Sequence, residues 1–399
     1  MLGIIGIIVG VVLLIYGAYK GVSTIILAPV CGLIIALFNG MNLLTTFTDT
    51  MVPAVCNYVT GMLGPVLMGC VIAGIYNTSG AALSIANALY DLFTISARKK
   101  AKANIPREMG PGVVLGALAT AACSMPGTTS DQNVIAVQFL GTSPMAAAIP
   151  GFIGGAVVLL LNIIMMNVIS KKEIAKGHIF TPAENAMKRP DDQKTPHWVI
   201  AVIPIAATLI TFNAFGWNIL VSMVLNIVLS LILFFNHYGR LSGLKALLEP
   251  VGGQATMLVL QVGLLGAIGG VVAASPAFPV LTNALLSMNV PGLFKVVIAI
   301  ALLTGASGSG PAGLSATLPY MSDMFTQMGI SMNALHRVSV FASQTLDTLP
   351  TNPGYIIATG IAEVPIRDSY RYVFITTVLN TTITAFVVAL LLTIVPSWS

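Results

Sequence analysis

The chain has 399 residues, of which 56% are hydrophobic and only 8% are charged, whereas about 25% are charged in ordinary soluble domains. This composition excludes a soluble globular protein and indicates an all-α polytopic membrane protein built as a single bundle. We attribute the net charge of +5 to loops that set the membrane topology, and not to nucleic-acid binding.

The apolar runs predict about 11 transmembrane helices, since a helix needs about 20 apolar residues to cross a bilayer. The first run precedes the first basic residue, Lys20, so we predict a retained span and no cleaved signal peptide. Two shorter runs, 81–96 and 277–288, are predicted to be re-entrant or interfacial. The predicted crossings are 2–18, 22–39, 52–76, 110–140, 144–170, 197–213, 216–236, 251–273, 293–328, 333–362 and 372–396.

The basic residues predict the orientation of the bundle. With the N-terminus outside, all of them except Lys295, Arg367 and Arg371 lie on the cytoplasmic side, which the positive-inside rule favours. Eleven crossings then place the C-terminus in the cytoplasm, and they place the loop that carries Arg367 and Arg371 outside. The one long polar stretch, 171–196, is predicted to be a cytoplasmic linker.

Two halves of the chain show a weak internal similarity. The stretch 112–127 aligns with 295–310, which pairs Ser124 with Ser307, and corresponding loops of the two halves face opposite sides in the predicted topology. We therefore predict an inverted repeat, as in many secondary transporters. The predicted domains are a first half at 1–170, the linker at 171–196, a second half at 197–371 and an extra C-terminal transmembrane helix at 372–399.

Three polar breaks interrupt the predicted helices: "CSMPGTTSDQN" at 123–133, "GASGSGPAG" at 305–313 and "SQTLDTLPTNPG" at 343–354. Glycine and proline disfavour a continuous helix, and irregular backbone at membrane depth occurs only where it is buried in protein or lines an aqueous cavity. A broken helix offers free N–H groups to an anion and free carbonyls to a cation. We therefore predict that the breaks meet in a central site for a polar or charged solute.

The breaks also carry a resemblance to a known family. The blocks Gly-Ala-Ser-Gly-Ser at 305–309 and Leu-Asp-Thr-Leu-Pro at 346–350, with their surroundings, resemble segments of the gluconate permease family. This resemblance implies proton-coupled uptake of a small hydroxycarboxylate such as gluconate, glycerate, lactate or 3-hydroxybutyrate. It also implies a carrier of the ion transporter superfamily type in the inner (plasma) membrane, often a homodimer. Where sugar-acid members often read Leu-Pro-His-Asn-Gly, this chain reads Pro-Thr-Asn-Pro-Gly at 350–354.

Candidate site residues follow from the breaks and from a polar turn at 77–79. The predicted substrate-binding residues are Asn77, Ser79, Ser124, Gly127, Thr128, Thr129, Ser307, Gly308, Ser309, Gly310, Thr351 and Asn352. The predicted coupling residues are Asp347 and Asp131, because an intramembrane carboxylate can carry a proton or coordinate a cation. Proton and sodium coupling both stay open, and no other cofactor is expected.

Each candidate also has a purely structural interpretation. A serine hydroxyl can bond a carbonyl one turn back, and the stretch 129–132 has capping-box spacing, which would make Asp131 part of a helix start. Asn77 and Ser79 could simply turn the chain. His336 and Arg337 are predicted to anchor a helix end at the membrane interface, with a substrate role as the alternative.

Three classes of function remain: a secondary carrier for an organic anion, a channel or cation/proton antiporter, and an intramembrane enzyme. The sequence contains no HExxH, GxSxG or Walker A motif, which disfavours an enzyme and direct use of ATP. The four cysteines lie in apolar stretches without CxxC spacing, so we predict neither disulfides nor a metal site. Three unlike breaks fit the repeated filter of a channel poorly, so a carrier is the preferred interpretation.

Overall fold

The computed structural model describes residues 2–20, 22–85, 88, 105–116, 121–179, 195–237, 245, 247–350 and 352–399. These residues form helices and turns without any strand, which confirms the all-α prediction for this part of the chain. Among them, four helices are long and apolar enough to cross a membrane, judged by length and composition: Leu43–Thr78, Ala148–Ala175, Val251–Ala274 and Ile366–Ile394. The number of crossings stays a prediction.

The longer helices overlap the predicted apolar runs. They are α1 (Leu2–Tyr19), α2 (Thr24–Phe38), α3 (Leu43–Thr78), α4 (Asp131–Leu140), α5 (Ala148–Ala175), α6 (Trp198–Asn213), α7 (Ile219–Leu233), α8 (Val251–Ala274), α9 (Phe278–Ser287), α10 (Gly292–Ser307), α11 (Gly310–Gln327), α12 (Met332–Ala342), α13 (Pro353–Ala362) and α14 (Ile366–Ile394). Shorter helical turns cover Arg107–Met109, Gly110–Val113, Ala121–Ser124 and Pro396–Trp398. The predicted short segment 277–288 corresponds to α9, whereas most of 81–96 lies outside the described residues.

The helix ends follow ordinary capping chemistry. Ser130 and Asn352 accept backbone N–H bonds at the starts of α4 and α13, which satisfies donors that have no partner inside the helix. Gly141 and Gly308 end α4 and α10 with φ values of 64° and 65°, a left-handed conformation that glycine adopts without steric cost. The breaks are therefore built from local turn and cap residues.

The chain divides into two compact units. Unit 1 contains Met1–Val59, Ile105–Ala183 and Leu260–Ser399, and unit 2 contains Thr60–Asn104 and Glu184–Val259. Each unit therefore takes residues from both predicted halves. The units are defined by packing and the halves by internal similarity, so the predicted inverted repeat stays a prediction.

Unit 1 holds two antiparallel helices that give it two distinguishable ends. Asn380 of α14 donates to Asn162 of α5 at 2.7 Å, and a Cβ added to Gly154 would lie 2.4 Å from Val388. Helix α14 therefore runs back along α5. Its first residues lie beside the last turn of α5, which we name the Glu173 end of unit 1, and its last residues lie at the opposite end.

The predicted crossing at 293–328 is wrong, because α10 and α11 form a hairpin. The two helices pack against each other, and a Cβ on Gly313 would lie 2.1 Å from Thr304 near the tip. At the open side, a Cβ on Gly292 would lie 3.2 Å from Ile330. Both ends of the segment thus lie at the same end of unit 1, because Gly308 and Ser309 turn the chain back where a through-going break was predicted.

The predicted separation of the linker 171–196 from the loop 363–371 is also wrong. Arg371 lies 3.2 Å from the Glu173 carboxylate, which also contacts Lys176 and His178. Of the predicted linker, the described residues 171–179 therefore lie at the Glu173 end, as does the start of α14. Removing one crossing at 293–328 has this consequence, since an even number of predicted crossings then separates the two segments.

Unit 2 packs around a buried polar seam between α6 and α7. Thr211 donates to Ser222 at 3.0 Å, and Asn226 donates to Thr208 at 2.9 Å. Such interhelical hydrogen bonds stabilise helix pairs in an apolar environment. Tyr76 of α3 completes the core by donating to the carbonyl of Ala201 at 2.9 Å.

Candidate functional site: two polar breaks in unit 1

The tip of the α10–α11 hairpin presents a helix N-terminus inside unit 1. Gly308 ends α10, Ser309 is extended, and Gly310 begins α11. Pro311 occupies the first turn of α11, where its missing N–H costs no hydrogen bond. Ser309 is buried, so the start of α11 lies within the protein.

The carboxylate of Asp347 occupies this N-terminus. Its Oδ1 accepts a hydrogen bond of 2.6 Å from the Gly310 backbone N–H, 37 positions away in the sequence. The helix macrodipole and a free N–H favour an anion at such a position. The side chain of Asp347 is half-buried. The structure thus brings the second and third breaks into direct contact through a resident carboxylate.

Asn352 joins the same contact from the other side of the break. Its Nδ2 donates to Oδ1 of Asp347 at 3.2 Å and to the Asp347 carbonyl at 3.1 Å, while its Oδ1 caps α13 by accepting from the Tyr355 N–H at 3.0 Å. The Asn352 side-chain amide therefore has two roles: it orients the Asp347 carboxylate, and it caps the start of α13.

The first break is a compact turn stabilised by its own hydroxyls. Ser130 donates to the Cys123 carbonyl at 2.8 Å, Thr128 donates to the Met125 carbonyl at 3.0 Å, and Gly127, with φ 75°, donates to the Pro144 carbonyl at 3.0 Å. Ser130, one residue later than the predicted capping box, is the cap of α4. The Thr128 and Ser130 hydroxyls therefore bond backbone carbonyls within this break.

His336 and Arg337 do not anchor a helix end at an interface, so that prediction is wrong. Both lie in the middle of α12 and are fully buried. His336 contacts Asn133 at 2.9 Å and Thr142 at 2.6 Å. The guanidinium of Arg337 donates to the carbonyls of Ser124, Pro144 and Ala146. The sequence signal for both was available, because an ionisable residue within an apolar segment indicates a functional site.

Gln132 connects the first break to the hairpin tip. It is buried at the start of α4, and its Nε2 would lie 3.3 Å from a Cβ on Gly310. Sequence reasoning did not select Gln132, although it directly follows Asp131. Asp131 is the first residue of α4, with an exposed side chain.

The remaining predicted residues are not part of these contacts. Asn77 is exposed and Ser79 is buried, and both belong to unit 2, where the Ser79 hydroxyl accepts from the Ala81 N–H in a turn. Thr129 is half-buried in the first break. Thr351 and the side chain of Ser307 lie outside the described residues. Their roles in substrate binding stay predictions.

Two cavities of about 440 Å³ lie elsewhere in unit 1, and no predicted site residue lines them. One is lined by residues of α3, α8, α9 and α11, including Asp49, Asn57 and Tyr320. The other lies at the Glu173 end, beside Glu108, Arg367 and Arg371. Among the described residues, no group of His, Cys, Asp and Glu could hold a metal ion.

Comparison with known proteins supports transport as the class of function. No family model matches the chain. The chain is similar to YxjC, an uncharacterized transporter of Bacillus subtilis (strain 168). The identity is 24% over an alignment length of 457, and the alignment covers 95% of this chain and 96% of the relative. Together with the apolar helices, this likeness supports a multi-pass membrane transporter, and it does not distinguish the gluconate permease family from other transporters.

Proposed function

We propose that the protein is a secondary carrier that takes up a small organic carboxylate together with a proton. The observation that carries the proposal is the Asp347 carboxylate at the N-terminus of α11, 2.6 Å from the Gly310 N–H. A helix start of this kind accommodates a carboxylate, and at present it holds one that belongs to the protein itself. The substrate carboxylate is proposed to take its place.

Charge repulsion supplies the reason for coupling. Two carboxylates cannot share one half-buried site unless one of them is neutral. Protonation of Asp347 weakens its bond to Gly310 and removes the repulsion, so that the substrate can bind the freed N–H. Release of the substrate and of the proton on the other side restores the contact. This cycle links one proton to one carboxylate, and it needs no ATP or other cofactor.

The proposed substrate class and location rest on the resemblance to the gluconate permease family. Gluconate, glycerate, lactate and 3-hydroxybutyrate are the compounds to test first, and the inner membrane is the proposed location, with a homodimer as the expected assembly. The N-terminus is proposed to lie outside. The basic residues Lys171, Lys172 and Lys176 favour the cytoplasmic side for the Glu173 end of unit 1, and this orientation is part of the proposal.

Uptake by proteoliposomes tests the proposal. With an inward proton gradient and no sodium, we expect the parent protein to accumulate at least one of the four compounds, and an uncoupler to abolish accumulation. Asp347→Asn, which mimics the neutral carboxyl group, should still exchange substrate between equal pools but should lose accumulation. Asp323→Asn, at an exposed position of α11, is the matched control and should behave as the parent.

Three outcomes would contradict the proposal in different ways. Accumulation that depends on sodium would show that sodium, and not the proton, is the coupling ion. Proton flux without any carboxylate would indicate an antiporter. Accumulation by Asp347→Asn at the parent level would remove Asp347 as the coupling group and leave Asp131 as the next candidate.

A further inference from the structure

Arg337 is a fully buried cation whose guanidinium donates to backbone oxygens of the described residues. Its Nε donates to the carbonyl of Ala146 at 2.9 Å, and its two terminal nitrogens donate to the carbonyls of Ser124 at 3.2 Å and Pro144 at 3.0 Å. Within the part of the chain that the structure describes, the guanidinium forms no ion pair. A buried charge is tolerated only when hydrogen bonds or a partner charge compensate it, and here carbonyl dipoles do so.

These three carbonyls form the kind of site that a metal cation uses. Ser124 is the last residue of a helical turn, and carbonyls at the end of a broken helix coordinate sodium in secondary transporters. The Pro144 oxygen also accepts from the Gly127 N–H at 3.0 Å and from Asn133 Nδ2 at 3.4 Å. Since a carbonyl has two lone pairs, this oxygen has no free capacity for an ion.

The surrounding chain makes room for the guanidinium. A Cβ on Gly151 would lie 2.9 Å from Cδ and 3.0 Å from Nε of Arg337, and 2.5 Å from Pro126. Only glycine at this position of α5 lets the side chain of Arg337 pass between α5 and the first break. Next to Arg337, His336 of α12 forms a hydrogen bond of 2.9 Å between its Nε2 and the Oδ1 of Asn133 in α4.

We propose that Arg337 is a built-in cation that fills the carbonyl cage of the first break, so that no coupling sodium ion binds there. We define the carbonyl cage as the backbone oxygens of Ser124, Pro144 and Ala146. If the protein is the proposed carrier, the first break is a fixed part of the site, and the contact between Asp347 and Gly310 is the part that changes during transport. This consequence rests on the proposed function. Arg337 is a positioning residue in this account.

Chemical rescue of a truncated side chain tests the cage directly. Arg337→Ala leaves the cage empty, and a guanidinium or methylguanidinium ion can refill it. We expect millimolar methylguanidinium to raise the melting temperature of the purified Arg337→Ala protein, and equal concentrations of choline to have no such effect. Arg367→Ala, at an exposed position of α14, should show no response to either ion. The measurement needs no transported substrate, so it stands even if the proposed function fails.

Transport measurements complete the test. Arg337→Lys keeps the charge but has one nitrogen in place of three, and it should fold even if Arg337→Ala is not recovered. We expect its uptake rate to fall about tenfold or more, since two charged hydrogen bonds are lost, and we expect uptake by the parent to be independent of sodium at a fixed proton gradient. The inference is overturned if sodium stabilises the parent or stimulates its uptake, if Arg337→Lys transports as the parent does, or if Arg337→Ala shows no specific response to methylguanidinium.

Discussion

Gly310 lies closer to its neighbours than any side chain would permit. A Cβ at this position would be 2.8 Å from the Ser343 carbonyl oxygen, 3.3 Å from Gln132 Nε2 and 3.5 Å from the Asp347 carboxyl carbon. The backbone carbonyl cannot swing aside as a flexible side chain could. The absence of a side chain at Gly310 therefore sets the distance between the hairpin tip and the Asp347 carboxylate.

Substitution of this glycine should impair transport without unfolding the protein. Gly310→Ala forces the tip away from the break, so that the proposed substrate carboxylate no longer reaches the Gly310 N–H, and loss of a hydrogen bond to a charged group costs about 1.5–3 kcal/mol, or roughly tenfold to 100-fold in apparent affinity. We expect a reduction of this size in uptake by proteoliposomes. Gly360→Ala is the matched control, because its Cβ would meet nothing within 4 Å and alanine favours the helix. Equal kinetics in the two variants would show that the close approach is unimportant.

The α10–α11 hairpin contributes the start of α11 to the candidate site. Both of its helices are too short or too polar to be counted among the long apolar spans, and their tip carries the helix start that Asp347 occupies. Phe294 at its open side packs edge-on against Phe386 of α14, with ring centroids 5.3 Å apart. The hairpin therefore enters unit 1 from the end opposite Glu173 and reaches the other breaks with its tip.

Labelling of single cysteines tests the hairpin. In a variant without the four native cysteines, Ser287→Cys and Met328→Cys flank the hairpin on its two sides. We expect a membrane-impermeant thiol reagent to modify both from outside the cell, and to modify His178→Cys only after the membrane is opened. Modification of Ser287→Cys and Met328→Cys from opposite sides would show that the segment crosses the membrane after all.

The antiparallel pairing of α5 with α14 places the last residues of α14 at the end of unit 1 opposite Glu173. Glu173 and Arg371 lie at one end of unit 1, whereas Gly154 and Val388 lie toward the other. Since the basic residues favour a cytoplasmic location for the Glu173 end, we expect the last residues of α14 to lie on the outer side. In this expected arrangement Arg367 and Arg371, which the predicted topology placed outside, lie on the same side as Lys171, Lys172 and Lys176.

Reporter fusions test this topology in the whole molecule. Alkaline phosphatase, which is active only outside the cytoplasm, should be active when fused after Ser399, and a green fluorescent protein at the same position should be dark. The same two reporters fused after His178 should give the reverse pattern. Fluorescence of the fusion after Ser399 would contradict this topology and would support the cytoplasmic C-terminus that eleven crossings predict.

Hydropathy and turn chemistry are local properties, and the sequence by itself determined what depends on them. The predicted runs 2–18, 197–213 and 251–273 correspond closely to α1, α6 and α8, because the apolar content of a segment decides whether it forms a membrane helix. The breaks near Gly308 and Gly127 were predictable for the same reason, since glycine and proline act on the backbone where they stand.

Only the tertiary structure decided what each break does. A glycine-rich break permits a chain to continue through the membrane or to turn back, and its sequence is the same in both cases, so the hairpin at 293–328 was predicted as a crossing. The bond between Asp347 and Gly310 spans 37 positions, and those between Arg337 and the carbonyl cage span 191 to 213. Such contacts depend on how distant helices pack, and no local pattern records which backbone group a buried charge will meet.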